Sequence, residues 1–337
     1  MRKKSFFKDL YAIIPLVFSG LLCIALIFFL QQKVSATPEF TQTLTDFSTV
    51  FISISGFLSA IIMVYLAYMA ISLKSTKEII VDKLSKVTQQ MHNFSSIIEI
   101  LLRSKMWLPG LKEYIDDEFE GLNFFEVKEF YKGKSKLAIE FLQEHHNYQD
   151  TENLYLEMKS LLMTSTKDKK IQETINYPKV YQQDIVQKWL EHKCGSGLWY
   201  YFGYKYGVFK EALDYSAVFE RHQEKVMTLA NAIDSTYFED SSFNEVFFSK
   251  LGEYMTKEVI PKLFQFQERS TKNIPGMIRY LYLIFLLLVL CGLLLPLAVL
   301  LFSLPVIALI ASYALVISII FFIATTFYQF IQREINS

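Results

Sequence analysis

The stretch YLYLIFLLLVLCGLLLPLAVLLF, which runs from Tyr280 to Phe302, contains no charged side chain. A helix needs about 20 consecutive apolar residues to cross roughly 30 Å of hydrocarbon, whereas helices of soluble proteins average about three turns. This stretch is therefore predicted to span a membrane. Three further stretches meet the same criterion, at residues 10–30, 47–73 and 304–330.

The four apolar stretches form two pairs around a long, more polar middle. The first pair belongs to residues 1–73, the second pair to residues 280–337, and residues 74–279 lie between them. The middle has few alternating β-branched runs and no Asn-Gly or Asp-Gly turns, so helical periodicity dominates. The predicted fold is an all-α polytopic membrane protein with four transmembrane helices in a 2+2 arrangement and a helical domain between the pairs.

Lysine and arginine give the predicted orientation, because cytoplasmic loops carry an excess of both. The loop at residues 31–48, which joins the first two stretches, holds only Lys33 beside Glu39 and Asp46. The basic residues lie instead on the other side of the four stretches: Arg2, Lys3, Lys4, Lys8, Lys74, Lys77, Lys83, Lys86, Arg269, Lys272, Arg279 and Arg333. Both termini and the middle domain are therefore predicted to be cytoplasmic, in a multi-pass protein of the bacterial inner (plasma) membrane.

The first apolar stretch has a second interpretation as a cleaved signal peptide. Arg2, Lys3 and Lys4 resemble a basic n-region, and Val34-Ser35-Ala36 resembles a signal-peptidase site. A signal h-region usually has about 7–15 residues, which is shorter than the stretch at residues 10–30. Its length favours an uncleaved helix, and either interpretation leaves the rest of the topology unchanged.

Apolar residues recur at heptad spacing directly after the second stretch. They alternate four and three positions apart: Ile80, Leu84, Val87, Met91, Phe94, Ile98 and Leu101. No Pro or Gly separates Phe57 from Leu108, so one helix is predicted to leave the membrane and to end at Pro109-Gly110. Three heptads are the lower limit for a coiled coil. The heptad stalk at residues 80–101 therefore packs either inside its own chain or against a second copy, and both alternatives stay open.

The sequence lacks the motifs of common catalytic and metal sites. It contains no GxxxxGK[ST], GxGxxG or HExxH pattern. Glu144-His145-His146 and Glu191-His192 place carboxylate and imidazole on adjacent positions, which point apart on a helix. Cys23, Cys194 and Cys291 lie far apart and form no CxxC motif. We therefore expect no metal, no cofactor and no enzymatic activity.

One stretch of the middle domain combines aromatic and basic side chains. Residues 198–210 read LWYYFGYKYGVFK. Aromatic rings stack on bases and lysines neutralise phosphates, so a cytosolic nucleotide, oligonucleotide or protein regulator is a candidate partner here. The alternative is a core helix whose tyrosines reach its rim. The candidate ligand-binding residues are Trp199, Tyr201, Tyr204, Lys205 and Lys210.

The predicted membrane helices contain no Asp, Glu, Lys, Arg or His, which argues against proton- or ion-coupled transport. Small and hydroxyl-bearing residues occur there at the spacing that lets helices pack closely. The same hydroxyls are also suited to line a pore that apolar constrictions gate. The candidate pore-lining or helix-packing residues are Ser53, Ser55, Gly56, Ser59, Met63, Ser312 and Ser318.

The layout resembles that of bacterial membrane effectors in anti-phage defence, which couple a cytosolic sensing part to membrane permeabilisation. This resemblance covers the whole chain as topology and rests on no family motif, so it transfers no functional residues. It implies a homo-oligomeric pore or membrane-permeabilising effector that its cytoplasmic domain gates within the lipid bilayer. The alternative is a membrane-anchored, non-catalytic scaffold that recruits cytosolic partners.

Overall fold

A computed structural model describes residues 10–37, 39–129, 151–166, 168, 175, 177–210, 212–271 and 274–335. In these ranges the chain is helical and contains no strand, which confirms the predicted all-α class. The basic residues at positions 2–8, on which the predicted orientation partly depends, lie outside the described ranges.

The longer helices are, in chain order, α1 (Leu10–Ala36), α2 (Glu39–Arg103), α3 (Phe124–Glu129), α4 (Thr151–Leu161), α5 (Gln183–Glu191), α6 (Ser216–Ile233), α7 (Glu245–Tyr254), α8 (Ile260–Ser270), α9 (Gly276–Leu288), α10 (Leu295–Phe302) and α11 (Val306–Ile335). Short helical turns at Leu111–Glu113, Ser196–Leu198, Tyr206–Phe209 and Ser235–Phe238 connect them, together with π-helical turns at Tyr114–Glu118, Trp199–Tyr204, Met255–Val259 and Val289–Leu294.

Four helical stretches are long and apolar enough to cross a membrane. They are Ile13–Ala36, Glu39–Arg103, Gly276–Phe302 and Val306–Tyr328. Each corresponds to one of the four stretches that the sequence predicts. The length and composition of these helices indicate a membrane-embedded protein.

The chain divides into two compact units. Residues 1–76 and 273–337 form the first, which we call the apolar unit, and residues 77–272 form the second, which we call the helical domain. Helix α2 is continuous and contributes residues to both. Its length follows from the absence of Pro and Gly between Phe57 and Leu108.

Within the apolar unit, α1 packs along α11, and α9 and α10 pack against α11. Tyr313 lies in the centre of this cluster, where its ring contacts that of Phe51 at a centroid distance of 4.3 Å. The Tyr313 hydroxyl donates a hydrogen bond to the carbonyl oxygen of Leu44 at 2.8 Å. Without this bond, the buried hydroxyl would have no hydrogen-bond partner among the apolar side chains around it.

The core of the helical domain encloses the far end of α2. Six of the seven heptad residues are buried in that core: Leu84, Val87, Met91, Phe94, Ile98 and Leu101. The side chain of Gln90 donates to the carbonyl oxygen of Ile233, at the end of α6, at 2.7 Å. Of the two predicted alternatives, the described structure therefore shows the seam packed inside its own chain. Helix α2 ends at Arg103, shortly before Gly110, whose φ is +86°.

Two prolines lie just after π-helical turns. A proline lacks the N–H that bonds the carbonyl four residues earlier, and its ring clashes with that carbonyl. A π-helical turn precedes two of the prolines, at Met255–Val259 before Pro261 and at Val289–Leu294 before Pro296. The sequence predicts a kink at Pro261, and a π-helical turn, which is one of the recognised sites of helix kinks, precedes this proline.

Candidate ligand-binding site

The helical domain contains a cavity of about 410 Å³. Three parts of the chain that are far apart in sequence form its walls: α3, α4 and the segment after α5. The lining residues are Phe124, Val127, Lys128, Asn153, Glu157, His192, Ser196, Gly197, Trp199, Tyr200 and Tyr201. The volume falls within the range of roughly 300–1,000 Å³ that is typical of sites for small organic ligands.

Glu157 supplies a buried carboxyl group to this cavity. The residue is 4% exposed, and its Oε1 accepts the backbone N–H of Gly195 at 2.7 Å and that of Gly197 at 2.9 Å. Gly195 has a φ of +97°, a conformation that side chains disfavour. A Cβ on Gly197 would lie 2.7 Å from Oε2 of Glu157. The two glycines therefore let the backbone approach and hold the carboxyl group.

The surroundings of Glu157 change its acidity. Burial raises the pKa of this carboxyl to about 7, although the N–H groups of Gly197 and Gly195 and the charge of Lys128 oppose the rise. Desolvation is the largest cause, because it disfavours the ionised form. Glu157 therefore exchanges its proton near neutral pH and can either donate to a ligand or accept from one.

An aromatic surface adjoins the cavity along the π-helical turn Trp199–Tyr204. The rings of Trp199 and Tyr204 are nearly parallel, with an angle of 14° and a centroid distance of 6.4 Å. Trp199 is 43% exposed and Tyr204 is 70% exposed. The ammonium of Lys205 lies 5.3 Å from the ring centroid of Tyr204, within range of a cation–π contact. Wide helical turns of this kind occur frequently at functional sites.

The structure brings only some of the predicted ligand-binding residues together. Trp199 and Tyr201 line the cavity, and Tyr204 and Lys205 adjoin it through the stack on Trp199. Lys210 is exposed and is not part of the cavity lining. The run is not one regular helix, and it combines exposed rings such as Trp199 and Tyr204 with the rings of Tyr201 and Phe202, which are buried in the core. The burial of these two rings agrees with the interpretation as a core helix, whereas ligand binding by the stretch stays a prediction.

Sequence reasoning missed Glu157, Lys128, Asn153 and His192 as members of one site. A signal for Glu157 exists in the sequence, because it lies three residues after Leu154 and four before Leu161. A charged residue at that spacing occupies the apolar face of its helix. No comparable pattern identifies the other three, since they become neighbours only when the chain folds.

A second cavity of about 400 Å³ shares Ser196 and Trp199 with the first. It is lined mainly by α5, by α7 and by the π-helical turn that follows α7. Glu253 and Lys257 form an ion pair there at 2.6 Å. Trp199 therefore lines two cavities, and a change in its position would alter both.

The predicted pore-lining or packing residues separate into two groups in the apolar unit. Ser55, Ser59, Ser312 and Ser318 are buried, with Gly56 half-buried, whereas Ser53 and Met63 are exposed. A Cβ on Gly292 would lie 2.7 Å from Cβ of Ser55. The Ser312 hydroxyl donates to the carbonyl oxygen of Cys291. At Gly292 and at Ser312, small side chains therefore let the helices of one chain approach each other closely.

No group of three or more metal-ligating side chains occurs among the residues that the structure describes. No known protein family, curated protein sequence or solved structure matches the chain. The site must therefore be interpreted from its own geometry and chemistry.

Proposed function

We propose that this chain is an oligomeric integral membrane protein that forms a pore, or permeabilises the membrane, when its cytoplasmic domain binds a small ligand. The ligand belongs to the class of nucleotides, which combine a planar ring with phosphate. The protein acts without catalysis and resides in a bacterial inner membrane with both termini in the cytoplasm. A role in anti-phage defence accords with this layout.

The composition of the Glu157 cavity is the observation that carries the proposal. Its aromatic wall at Trp199 and Tyr200 suits a stacked base, and Lys128 supplies a positive charge for a phosphate. The buried Glu157 and the amide of Asn153 offer hydrogen bonds to the edge of a base. The Oδ1 of Asn153 is buried and has no hydrogen-bond partner in the described part of the chain, so a ligand could supply one.

A chain of contacts leads from this cavity to α2. Tyr155, two residues before Glu157 on α4, contacts the ring of Trp107 at a centroid distance of 5.2 Å. The indole N–H of Trp107 donates to the carbonyl oxygen of Leu101 at 3.0 Å, in the last turn of α2. A ligand that moves α4 would thus disturb the end of the helix that continues into the apolar unit. We propose that this displacement opens the membrane path.

The pore in this proposal is formed by several copies of the chain. The buried serines of the apolar unit already take part in helix contacts within one chain, which leaves Ser53 and Met63 as the exposed candidates to line a shared path. The second candidate function is a scaffold. It is favoured by the exposed side chains Tyr204 and Val208, which are 70% and 71% exposed and suit a protein partner.

Ion flux and ligand binding can be tested on the same preparation. The full chain is reconstituted in liposomes, and potassium release is recorded while ATP, GTP, cyclic AMP and a cyclic dinucleotide are added in turn. Binding is followed by tryptophan fluorescence, since Trp199 is 43% exposed whereas Trp107 and Trp189 are buried. We expect one nucleotide to quench this fluorescence, to start flux and to be recovered chemically unchanged.

Two variants provide the controls. Both variants lack the fluorescent reporter Trp199, so their nucleotide binding is measured by equilibrium dialysis. Trp199→Ala together with Lys205→Ala should abolish binding and flux, while Trp199→Phe keeps an aromatic wall and should retain both. A membrane that stays tight with a nucleotide bound would exclude the pore and favour the scaffold. The absence of binding by every nucleotide would exclude this ligand class, and conversion of the nucleotide would show an enzyme.

A further inference from the structure

The apolar unit contains a groove of about 840 Å³ that the proposed function does not use. It is formed by α1, α9 and α11, and its lining is mostly aliphatic and aromatic. The groove is continuous with the outer surface of helices that carry exposed apolar side chains, such as Leu16, which is 47% exposed. In a membrane, the groove would therefore be in contact with the hydrocarbon chains of the lipid bilayer.

The length of the groove corresponds to one leaflet. Along α9 the lining runs from Gly276 to Leu287, which is about 16 Å at 1.5 Å per residue. The lining of α1 from Leu16 to Cys23 is about 10 Å long. The hydrocarbon core of a bilayer is roughly 30 Å thick, so the groove reaches about as deep as a single leaflet.

One end of the groove is positively charged. Arg279 is exposed there, and its guanidinium has no ion-pair partner among the described residues. Next to it, the Tyr280 hydroxyl bonds to the Thr326 hydroxyl at 2.7 Å and holds α9 against α11. A guanidinium at the level of lipid headgroups is suited to bind a phosphate through two parallel hydrogen bonds.

The middle of the groove has an unsatisfied polar atom. Ser19 donates to the carbonyl oxygen of Ser318 at 2.7 Å and joins α1 to α11. Ser318 itself is 4% exposed and lines the groove, yet its Oγ has no hydrogen-bond partner among the described residues. A buried hydroxyl without a partner is uncommon, and a bound molecule in the groove is one source of a partner.

The wall formed by α1 leaves open space beside a glycine. A Cβ on Gly20, which lines the groove, would meet no atom within 4 Å. The groove is thus open where a larger residue would close it. Gly20 offers a way to fill the groove without disturbing the helix contact that Ser19 makes.

From these observations we infer that the groove binds one acyl chain of an anionic phospholipid, whose phosphate pairs with Arg279. The lipid comes from the leaflet in which α9 begins. Its acyl chain lies along the aliphatic walls past Ser318, and its negative charge complements the guanidinium. Occupation of the groove by such a lipid would stabilise the contact between α1, α9 and α11 by mass action.

Native mass spectrometry of the purified full chain tests this inference. The protein in detergent is supplied with phosphatidylglycerol or phosphatidylcholine that carry the same acyl chains, and the lipid retained per chain is counted. We expect wild type to retain one phosphatidylglycerol and to prefer it over phosphatidylcholine. Arg279→Gln should reduce that preference about tenfold, as expected for a lost hydrogen bond to a charged group.

Gly20→Leu should lower the retention of both lipids, because its side chain enters the groove. Ala25→Leu makes a similar addition at an exposed position of α1 outside the groove lining and should behave as wild type. Both variants are first checked for the same elution volume and the same thermal unfolding as wild type without lipid. Equal retention by wild type and Gly20→Leu would overturn the proposal, as would a wild-type protein that shows no headgroup preference.

Discussion

The Oε2 atom of Glu157 lies 2.7 Å from the position that a Cβ would occupy on Gly197, and Cδ1 of Leu154 lies 2.9 Å from it. Real Cβ atoms essentially never come within 3.0 Å of another group, so alanine at this position must displace the buried carboxyl. We expect Gly197→Ala to lower the free energy of unfolding by about 1–3 kcal/mol. Urea unfolding in nanodiscs measures it, because all three tryptophans belong to the helical domain.

Gly207 provides the matched control for this substitution. A Cβ there would meet nothing within 4 Å, and the residue lies in the short helix Tyr206–Phe209. Gly207→Ala should leave stability unchanged or raise it by up to about 1 kcal/mol, through helix propensity. Equal losses in both variants would show that the contact with Glu157 is not the cause.

The titration of Glu157 predicts how stability depends on pH. Its pKa is 4.5 ordinarily and about 7 in the folded protein, so between these values the folded state holds a proton that the unfolded chain releases. The contribution of Glu157 to the free energy of unfolding should therefore fall as pH rises from about 4.5 through 7, by up to about 3 kcal/mol in all, and level off about one pH unit above the folded pKa.

Glu157→Gln removes this titration while it keeps an oxygen that can accept from Gly195 and Gly197. Unfolding of the variant should lack the decline between pH 4.5 and 7, and its stability relative to wild type should increase with pH across that interval. Urea titrations at a series of pH values measure both curves. Parallel curves for the two proteins would mean that Glu157 does not titrate in this range.

The sequence predicts the helices more fully than it predicts the site. Helix-breaking residues and apolar periodicity are local, and they suffice for the four apolar helices and for α2 up to its end near Gly110. They also leave two alternatives for the heptad stalk, which packs either inside its own chain or against a second copy. Only the structure of the packed core shows that Met91 and Phe94 face their own chain.

The cavity was not predictable in the same way, because its polar groups are brought together by tertiary contacts. Glu157 is held by backbone N–H groups of Gly195 and Gly197, and backbone donors leave no trace in a pattern of side chains. Lys128 reaches the site from a different helix, about thirty positions earlier in the chain. The aromatic run was recognisable, although its wide turn at Trp199–Tyr204 was not.

An ion pair between a buried lysine and a partly exposed aspartate should be important for stability. The side chain of Lys159 is 3% exposed and that of Asp116 is 39% exposed, and the Lys159 ammonium lies 2.6 Å from Oδ1 of Asp116. Asp116→Ala would leave this ammonium buried without its partner, at a cost of about 1–3 kcal/mol, since water partly screens the aspartate. The double variant with Lys159→Met should recover part of the loss, and urea unfolding compares the three proteins.

The exposed pair of Asp82 and Lys86, with atoms 3.1 Å apart and side chains that are 63% and 74% exposed, is the control for that experiment. Asp82→Ala should change stability by less than about 1 kcal/mol, since water screens the pair. A similar cost at Asp116 and Asp82 would contradict the role assigned to burial.

The heptad residues of α2 can be tested at Met91, which is fully buried in the domain core. Met91→Ala should lower the free energy of unfolding by about 2–5 kcal/mol, and Met91→Lys should cost at least as much because it buries an unpaired charge. Gln89→Lys changes an exposed position of the same helix and should remain close to wild type. If Met91→Lys proved neutral in urea unfolding, the seam would not be packed as the structure has it.

The close contact between α2 and the π-helical turn Val289–Leu294 gives a prediction for the apolar unit. A Cβ on Gly292 would lie 2.7 Å from Cβ and 2.8 Å from Oγ of Ser55. Gly292→Ala should therefore separate these elements and lower the thermal unfolding temperature in detergent, whereas Gly56→Ala should not, because its Cβ would stand 3.4 Å from Leu293.

Adding Ser55→Gly to Gly292→Ala removes both clashing atoms and should restore the unfolding temperature. A double variant as unstable as the single one would refute this contact, because the two changes would then act independently.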